Sequence, residues 1–513
     1  DPLIQRFIFF GILVTGILLR ILRLLRTAVI SPDGPGYIHD ALRIGTEGLR
    51  GLFEGGFGGN FSIYPFFLYS VNLLIGDPVV SGQMVSLFFG SLLIVSIYFL
   101  VKKTFGQRAG LYAAFLASIH PHLIRYSVDV LKDSMLFFFA VTAFVLALMG
   151  HEKRNYVVIF LAGVLAWTAG LVRVYGTVVV LSISVAIIVA GLADRLKWRA
   201  IAGELLLFAI PVPIVGYLLF VLCIGADAEY ITHTLVNLFL TITERFSAAD
   251  SYRDILMANS PGVDRHYLDM ITSFPWLAAF RGFIDVWVSA FSGLFWALFL
   301  IGIYFDRKSL IKERPALFVM TCAVVLTLID IIIFKTLFFL SKRHVMVMVI
   351  LLLPWSAMAL DRIIGWYKER IFPKYRIRRV SFNTVLWISF LVSVILGVLF
   401  TSFLDPEIDK RLYKKTAGEY IKGLGQANPM LLVLQTDTLV TFYSGGTEVV
   451  ANKDVPLEKT IAEVNPDFLI YDSAIGPVPE SIKTLSDRGT IWEIQTIRRK
   501  DDVYIAIYRI TKN

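Results

Sequence analysis

Charge is scarce in this chain. Asp, Glu, Lys and Arg make up 17% of 513 residues, and hydrophobic residues make up 56%. A soluble domain carries nearer ~25% charge, so an ordinary water-soluble protein is excluded. Cysteine is scarcer still. Cys223 lies near the end of one apolar run and Cys322 within another, which excludes a disulfide framework and a cysteine-based zinc site. The C-terminal tail has no glycine-rich phosphate fingerprint, and no internal repeat relates the two halves. The first apolar run lacks a signal-peptide cleavage region and is expected to stay as a signal anchor.

Long apolar runs are abundant. Runs of ~17–25 residues suit a hydrocarbon core roughly 30 Å thick, and about eleven such spans are expected, at 7–25, 80–101, 109–123, 134–150, 155–171, 175–192, 201–224, 283–304, 315–337, 344–360 and 382–403. The net charge of +9 comes from clusters beside these runs, among them Lys102, Lys103 and Arg108, Lys153 and Arg154, Arg195 to Arg199, Arg307 to Arg314, and a dense stretch from Arg362 to Arg379. Such clustering orients membrane proteins and gives no reason to invoke nucleic acid. The clustered loops are read as cytoplasmic, with the N-terminus. Loops 26–79 and 225–282, the turn at 121–133, the turn at 338–343 and everything after about 404 then face outward. The long loops mix aromatic with charged residues and either form amphipathic helices on the bilayer or are plain surface loops. In the tail, helix-period and strand-period segments alternate from "KRLYKKTAGEYIKGL" to "DDVYIAIYRI". That argues for a small α/β layer domain. The expected fold is a polytopic α-helical membrane protein, 1–404, followed by a soluble extracytoplasmic α/β domain, 405–513.

Candidate chemistry gathers on the outer side. "VISPDGPGYIHDALRI" places Asp33 in a rigid Pro-Asp-Gly-Pro-Gly turn at the membrane edge. An Asp there either caps backbone N–H groups or is set out for chemistry. "HPHLIRYSVDVLKDSMLFFFA" supplies Asp129 and Asp133, four apart and expected on one helical face; an N-cap role for Asp133 is the alternative. Arg125, Lys132, Arg173, Lys342, Arg343 and His344 also fall at outer ends, where a positive-inside protein should be poor in cations. Each alone reads as a snorkelling anchor; together they imply an anionic partner, either these carboxylates or a phosphate at headgroup depth. Asp330 and Lys335 lie within a span, as a mutual pair, a partner for Arg173 or a functional group. His120 and His122 are spaced for a metal with a carboxylate, but no third ligand is identifiable.

These motifs resemble the family C glycosyltransferases (GT-C), multi-span enzymes that use a sugar carried on a polyprenyl phosphate, and in particular the branch of the protein O-mannosyltransferases and lipid A aminoarabinose transferases. "PDGPGYIHDA" matches the acidic first outer loop, "DVLKDSMLFFF" the second acidic motif, "SKRHVMVMVILLLPWSAMAL" the late span and "KKTAGEYIKGL…VTFYSGG" the soluble tail. The resemblance implies Asp33 as main catalytic carboxylate, Asp133 as the second acidic residue, Arg343 as a contact for lipid phosphate, and Tyr37, Tyr64, Arg125, Asp129, Lys132, Arg173 and His344 as further substrate contacts. Many relatives carry a Lys-Pro pair in the first outer loop; here "SIYPFFLY" has Tyr64-Pro65, so phosphate binding falls to other cations. The Trp-Trp-Asp signature of oligosaccharyltransferases is absent.

The implied reaction moves a sugar from a polyprenyl-monophosphate donor to a hydroxyl of a lipid, glycan or protein, outside the plasma membrane. Phosphate leaves as an anion and is stabilised by cations. Asp33 takes the acceptor proton in an in-line, inverting displacement. The residues assign no cofactor, and a divalent metal is compatible. A flippase for a polyprenyl-linked compound and a non-catalytic envelope assembly protein are the rival readings.

Overall fold

The computed structural model describes residues 2–49, 62–211, 273–307, 313–337, 340–366, 369, 406–452, 455–499 and 503–511. The chain divides into two compact units. The first is Asp1–Leu22, Asp40–Val128 and Lys132–Val398; the second is Arg23–His39, Asp129–Leu131 and Leu399–Asn513.

The first unit is helical. It contains α1 (Pro2–Leu24), most of α2 (Gly34–Glu47), α3 (Tyr64–Ile75), α4 (Pro78–Phe105), α5 (Gln107–Ile119), α6 (Pro121–Tyr126), α7 (Asp133–Lys153), α8 (Tyr156–Val172), α9 (Thr177–Ala193), α10 (Trp198–Ala209), α11 (Pro275–Phe291), α12 (Leu294–Asp306), α13 (Arg314–Leu337) and α14 (Lys342–Trp366). Local sequence sets their starts. Asp77 caps α4 by accepting from the Val79 and Val80 N–H groups at 2.9 and 3.0 Å, and Pro78 fills the first turn, where an N–H has no partner anyway. Asn155 caps α8 in the same way.

Among the described residues, six helices are long and apolar enough to cross a membrane, or seven if one bent pair is a single span. The protein is therefore a multi-span membrane protein. Two expected spans are broken. That at 109–123 divides into α5 and α6 because His120 precedes Pro121 and takes an extended ψ of 120°; a residue before proline is pushed out of the helical region. That at 283–304 divides into α11 and α12, bent by 104°, with Ser292 and Gly293 both at positive φ, 61° and 44°. The span expected at 155–171 is α8, which has 17 residues. Most of the span at 201–224, with Cys223, and all of that at 382–403 lie outside the described residues, as do loop 225–282 up to 272 and most of the basic stretch after Arg362.

Helices approach closely where side chains are small. A Cβ on Gly302 of α12 would collide with the Trp355 carbonyl of α14. A further joint lies at the end of α7 remote from Asp133. There His151 and Arg154 bond Glu204 at 2.7 and 2.6 Å, and Arg314 bonds Asp194 at 3.0 Å, so part of the basic clustering read as an orientation signal also ties helices together.

Arg20 is wholly buried within α1. Its guanidinium donates to the Gly16, Ser118 and Ala117 carbonyls at 2.9, 3.4 and 3.4 Å, and to Ser127 Oγ at 3.2 Å. Two of these carbonyls belong to the last turn of α5, where the helix supplies no N–H partner. The arginine thus acts as a C-terminal cap for a neighbouring helix. Arg20→Met should lower stability by about 1–3 kcal/mol through the carbonyls left unpaired. A melting temperature equal to that of the parent protein in the same detergent would refute the capping role.

The second unit contains a five-stranded sheet in the order β2-β1-β3-β5-β4. Its elements are α15 (Pro406–Gly423), β1 (Met430–Val433), α16 (Thr438–Ser444), β2 (Thr447–Val450), α17 (Leu457–Val464), β3 (Phe468–Asp472), α18 (Glu480–Asp487), β4 (Ile491–Arg498) and β5 (Tyr504–Ile510). Strands β2, β1 and β3 run parallel, and β5 and β4 are antiparallel. Alternate residues feed opposite faces, as strand geometry requires. Leu431, Val433, Phe468 and Ile470 pack on Tyr413, Ala417 and Ile421 of α15 and Val440 of α16. Leu432, Leu469 and Tyr471 pack on Leu457 and Ile461 of α17 and Ile482 and Leu485 of α18.

Candidate active site

In the first unit, three helix ends bring one carboxylate and three nitrogen-bearing side chains together. Asp133 is in the first turn of α7, wholly buried. Arg173 follows α8 in extended conformation, φ −155° and ψ 137°, before a single 3-10 turn leads into α9. Arg343 and His344 lie in the first turn of α14. Arg173 Nη1 donates to Asp133 Oδ1 at 2.9 Å, and Arg343 Nη1 stands 3.7 Å from Asp133 Oδ2. Arg173 Nη2 donates to His344 Nε2 at 2.8 Å. A guanidinium can only donate, so Nε2 is the accepting nitrogen. The other ring nitrogen, Nδ1, lies 2.9 Å from Ser341 Oγ and 3.2 Å from the Ser341 backbone N.

Among the described residues, two guanidiniums, one carboxylate and a neutral imidazole leave one positive charge in excess. Both arginine side chains keep some exposure, 19% and 27%, while Asp133 keeps 1%; the carboxylate is the held group and the arginines have surface to offer. The N-termini of α7 and α14 add positive potential from the helix dipole. Such a cluster suits an anion, and the planar guanidinium forks suit phosphate oxygens. Next to it, Tyr175 donates to Asp330 Oδ1 at 2.8 Å, both side chains buried, and the Tyr175 ring meets His344 edge-on at 5.5 Å.

In the second unit, Asp33 immediately precedes α2 and is half-buried. The preceding turn is closed by the Gly34 N–H donating to the Ser31 carbonyl at 2.8 Å. Asp129 belongs to this unit. Its Oδ1 accepts from the N–H groups of Ser31 at 2.6 Å and Val130 at 2.9 Å, and its Oδ2 lies 3.4 Å from Arg411 Nη1 on α15. The shared helical face expected for Asp129 and Asp133 is therefore not formed. Helix α7 begins only at Asp133, and Asp129 lies in the turn before it, drawn to backbone donors that a helical position would not let it reach.

Residues 63–217 match the family described as dolichyl-phosphate-mannose-protein mannosyltransferase. In structure the chain is similar to ArnT from Cupriavidus metallidurans, at a TM-score of 0.57 and 12% identity in the apo state and 0.55 and 13% bound to undecaprenyl phosphate, each over 97% of both chains. It is also similar to the Archaeoglobus fulgidus oligosaccharyltransferase in complex with Zn and sulfate, with a TM-score of 0.56, 14% identity, and coverage of 90% of this chain and 68% of that one. The chain shares the fold of these two proteins. No curated protein matches the chain in sequence.

On this scaffold the remaining candidates take varied places. Arg125 is in the last turn of α6 and Lys132 precedes α7, both half-buried, as is Tyr37 on α2. Tyr64 is wholly buried, with its hydroxyl bonded to the Gly82 carbonyl at 3.0 Å and Ser86 Oγ at 3.2 Å on α4; its bonding is that of a packing residue. Asp330 and Lys335 do not pair with each other. Asp330 takes the Tyr175 hydroxyl, and the Lys335 ammonium stands 4.8 Å from the Trp276 ring centre. His120 is buried against Phe295, with ring centres 4.5 Å apart, and His122 Nε2 lies 3.2 Å from the Ser289 carbonyl. Among the described residues no group of three or more His, Cys, Asp or Glu side chains is placed to hold a metal. Sequence reasoning missed Tyr175, Ser341 and Arg411; Ser341 opens the quoted "SKRHVMVMVILLLPWSAMAL" motif beside Arg343 and His344, whereas Tyr175 and Arg411 stand in none of the quoted family motifs.

Proposed function

We propose that this protein is an integral membrane glycosyltransferase that moves a sugar from a polyprenyl-monophosphate donor to a hydroxyl outside the plasma membrane, with inversion. The observation that carries the reading is the cationic cluster of Arg173, Arg343 and His344 around buried Asp133, on a GT-C fold. The neighbouring ArnT structure was obtained with undecaprenyl phosphate bound, which is the anion chemistry this cluster suits. About eleven spans over 1–404, with the tail 405–513 extracytoplasmic, complete the proposed topology.

In this reading Arg173 and Arg343 bind the donor phosphate, and Asp133 holds both arginines in place. Asp33 is the general base. The acceptor oxygen forms a bond to the anomeric carbon while the bond from that carbon to the phosphate oxygen breaks. The acceptor proton goes to the Asp33 carboxylate, and the electron pair leaves with polyprenyl phosphate. Phosphate is a good leaving group, so no acid is needed on that side. The cations lower the barrier by stabilising charge as it develops. The acceptor is a hydroxyl on a lipid, glycan or protein.

Arg343→Ala tests the phosphate site. Arg343 stands 3.7 Å from Asp133, and its removal should weaken binding of undecaprenyl phosphate by roughly 10–150-fold, the effect of one charge-assisted hydrogen bond of about 1.5–3 kcal/mol, without loss of fold. Unchanged affinity for undecaprenyl phosphate in detergent would remove Arg343 from the site.

A further inference from the structure

The turn that carries Asp33 is held by side chains that come from far along the chain. The Lys415 ammonium on α15 donates to the Ala28 carbonyl at 2.9 Å. The Ile30 N–H donates to the Tyr443 hydroxyl on α16 at 3.3 Å. The Ser31 N–H goes to Asp129, and Thr438 Oγ1 donates to the Pro32 carbonyl at 2.8 Å. That last carbonyl is one half of the peptide bond whose nitrogen is Asp33's. Over this stretch Val29, Ile30 and Ser31 are buried, so their polar backbone groups need partners; the tail provides one for the Ile30 N–H and two more for the flanking carbonyls of Ala28 and Pro32. The fit is tight: a Cβ on Gly34 would come within 3.0 Å of Ile30 Cδ1 and 3.3 Å of Val130 Cβ.

The clamp is itself anchored. Asp437, immediately before Thr438, caps α16 and accepts from the Lys414 ammonium at 2.8 Å. Lys414 also lies 3.0 Å from Asp472, which accepts from the Tyr413 hydroxyl at 3.0 Å. Burial alone would lower the Lys414 pKa, but Asp437 and Asp472 together raise it above the usual lysine range, so the ammonium stays charged. The Lys415 ammonium stands 5.2 Å from the Tyr443 ring centre, which links the two gripping side chains. A loop that only packed against the tail would meet it through apolar side chains. Here three tail side chains, joined by Asp129, bond backbone atoms of Ala28 to Pro32, and the series ends one residue before the residue proposed as base.

We infer that the tail is a positioning element for the reaction: Thr438, Tyr443 and Lys415 fix the backbone on which Asp33 is presented. This rests on the reading of Asp33 as general base. A carboxylate misplaced by about 1 Å can cost on the order of 10²-fold in rate, so loosening this backbone should act on turnover and not on donor binding.

The test uses the full-length protein carrying Thr438→Val with Tyr443→Phe, and Thr438→Ser alone as the conservative control. Hydrogen exchange of the Ile30 amide, which loses the Tyr443 hydroxyl, should quicken by roughly tenfold, about one net hydrogen bond lost, and the neighbouring Ser31 amide should quicken with it as the backbone loosens. Affinity for undecaprenyl phosphate should stay within about twofold of the parent, and transfer, followed as restoration of the glycan or lipid lost in a deletion strain, should fall by about 10–100-fold. Thr438→Ser, which keeps the donor, should match the parent in all three. Unchanged exchange at Ile30 and Ser31 would overturn the clamp, and faster exchange with full restoration would overturn its role in positioning. The base reading fails by a separate route, through an active Asp33→Asn enzyme, so the two failures are distinguishable.

Discussion

Asp33→Asn should lower transfer by about 10²–10⁴-fold, the range that general-base catalysis supplies, while affinity for undecaprenyl phosphate stays unchanged. Asn keeps the shape of the side chain and can still bond to nearby backbone. It cannot accept the acceptor's proton and remain neutral. Asp33 is half-buried at the start of α2, and the turn before it is closed through backbone atoms and gripped by other side chains, so the substitution should leave the fold intact. A loss of this size is about 3–5 kcal/mol of barrier. Near-parental restoration of the missing glycan or lipid by Asp33→Asn in a deletion strain would end the base assignment.

The second large effect is expected at Arg173. Its guanidinium bonds Asp133, whose side chain is 1% exposed, and His344 at once. Removing one member of a buried ion pair costs about 3–5 kcal/mol when the charge left behind has no other partner; Arg343, 3.7 Å from Asp133, offsets part of that here. Arg173→Ala should therefore both destabilise the protein and weaken undecaprenyl phosphate binding. A second substitution separates these effects. Adding Asp133→Asn removes the stranded charge and should restore much of the stability, because the two residues are directly coupled. Phosphate affinity should remain low, because the cation is still missing. If the double variant regains affinity together with stability, Arg173 is a structural residue only.

Most of the helical elements could be read from the sequence because period and length are local properties. The apolar runs at 80–101, 134–150 and 175–192 correspond to α4, α7 and α9, and "DFLIYDS" corresponds to β3. The tail also held two elements that were not legible. "TLVTFYS" is too short to show a helical period and becomes α16 because Asp437 caps it; β2 is an edge strand of four residues without a continuous buried face. The broken spans were misread for a related reason. Average hydropathy is blind to a backbone break, and only Pro121 and Gly293 marked where breaks would fall.

The candidate site was legible in kind more than in pairing. An excess of cations at the ends expected to face outward pointed to an anion; Arg173 and Arg343 reach Asp133, and His344 bonds Arg173. Asp129 was grouped with Asp133 through helical spacing, but spacing has meaning only inside a helix, and the proline at 121 had already ended one. Tyr175 with Asp330 stands 155 residues apart in sequence, and Arg411 with Asp129 stands 282 apart. Contacts of that range leave no periodic trace.

That separation also bears on the order of synthesis. Tyr443 follows Ile30 by 413 residues, and Thr438 follows Pro32 by 406. At ~5–20 residues per second, the ribosome delivers the grip on the Asp33 turn some tens of seconds after the turn itself has been made. A nascent or prematurely terminated chain that stops short of Arg411 has already made its helices up to α14, but the Asp33 turn still lacks every partner from α15 and α16. Completion of the polypeptide is thus built into the geometry around Asp33.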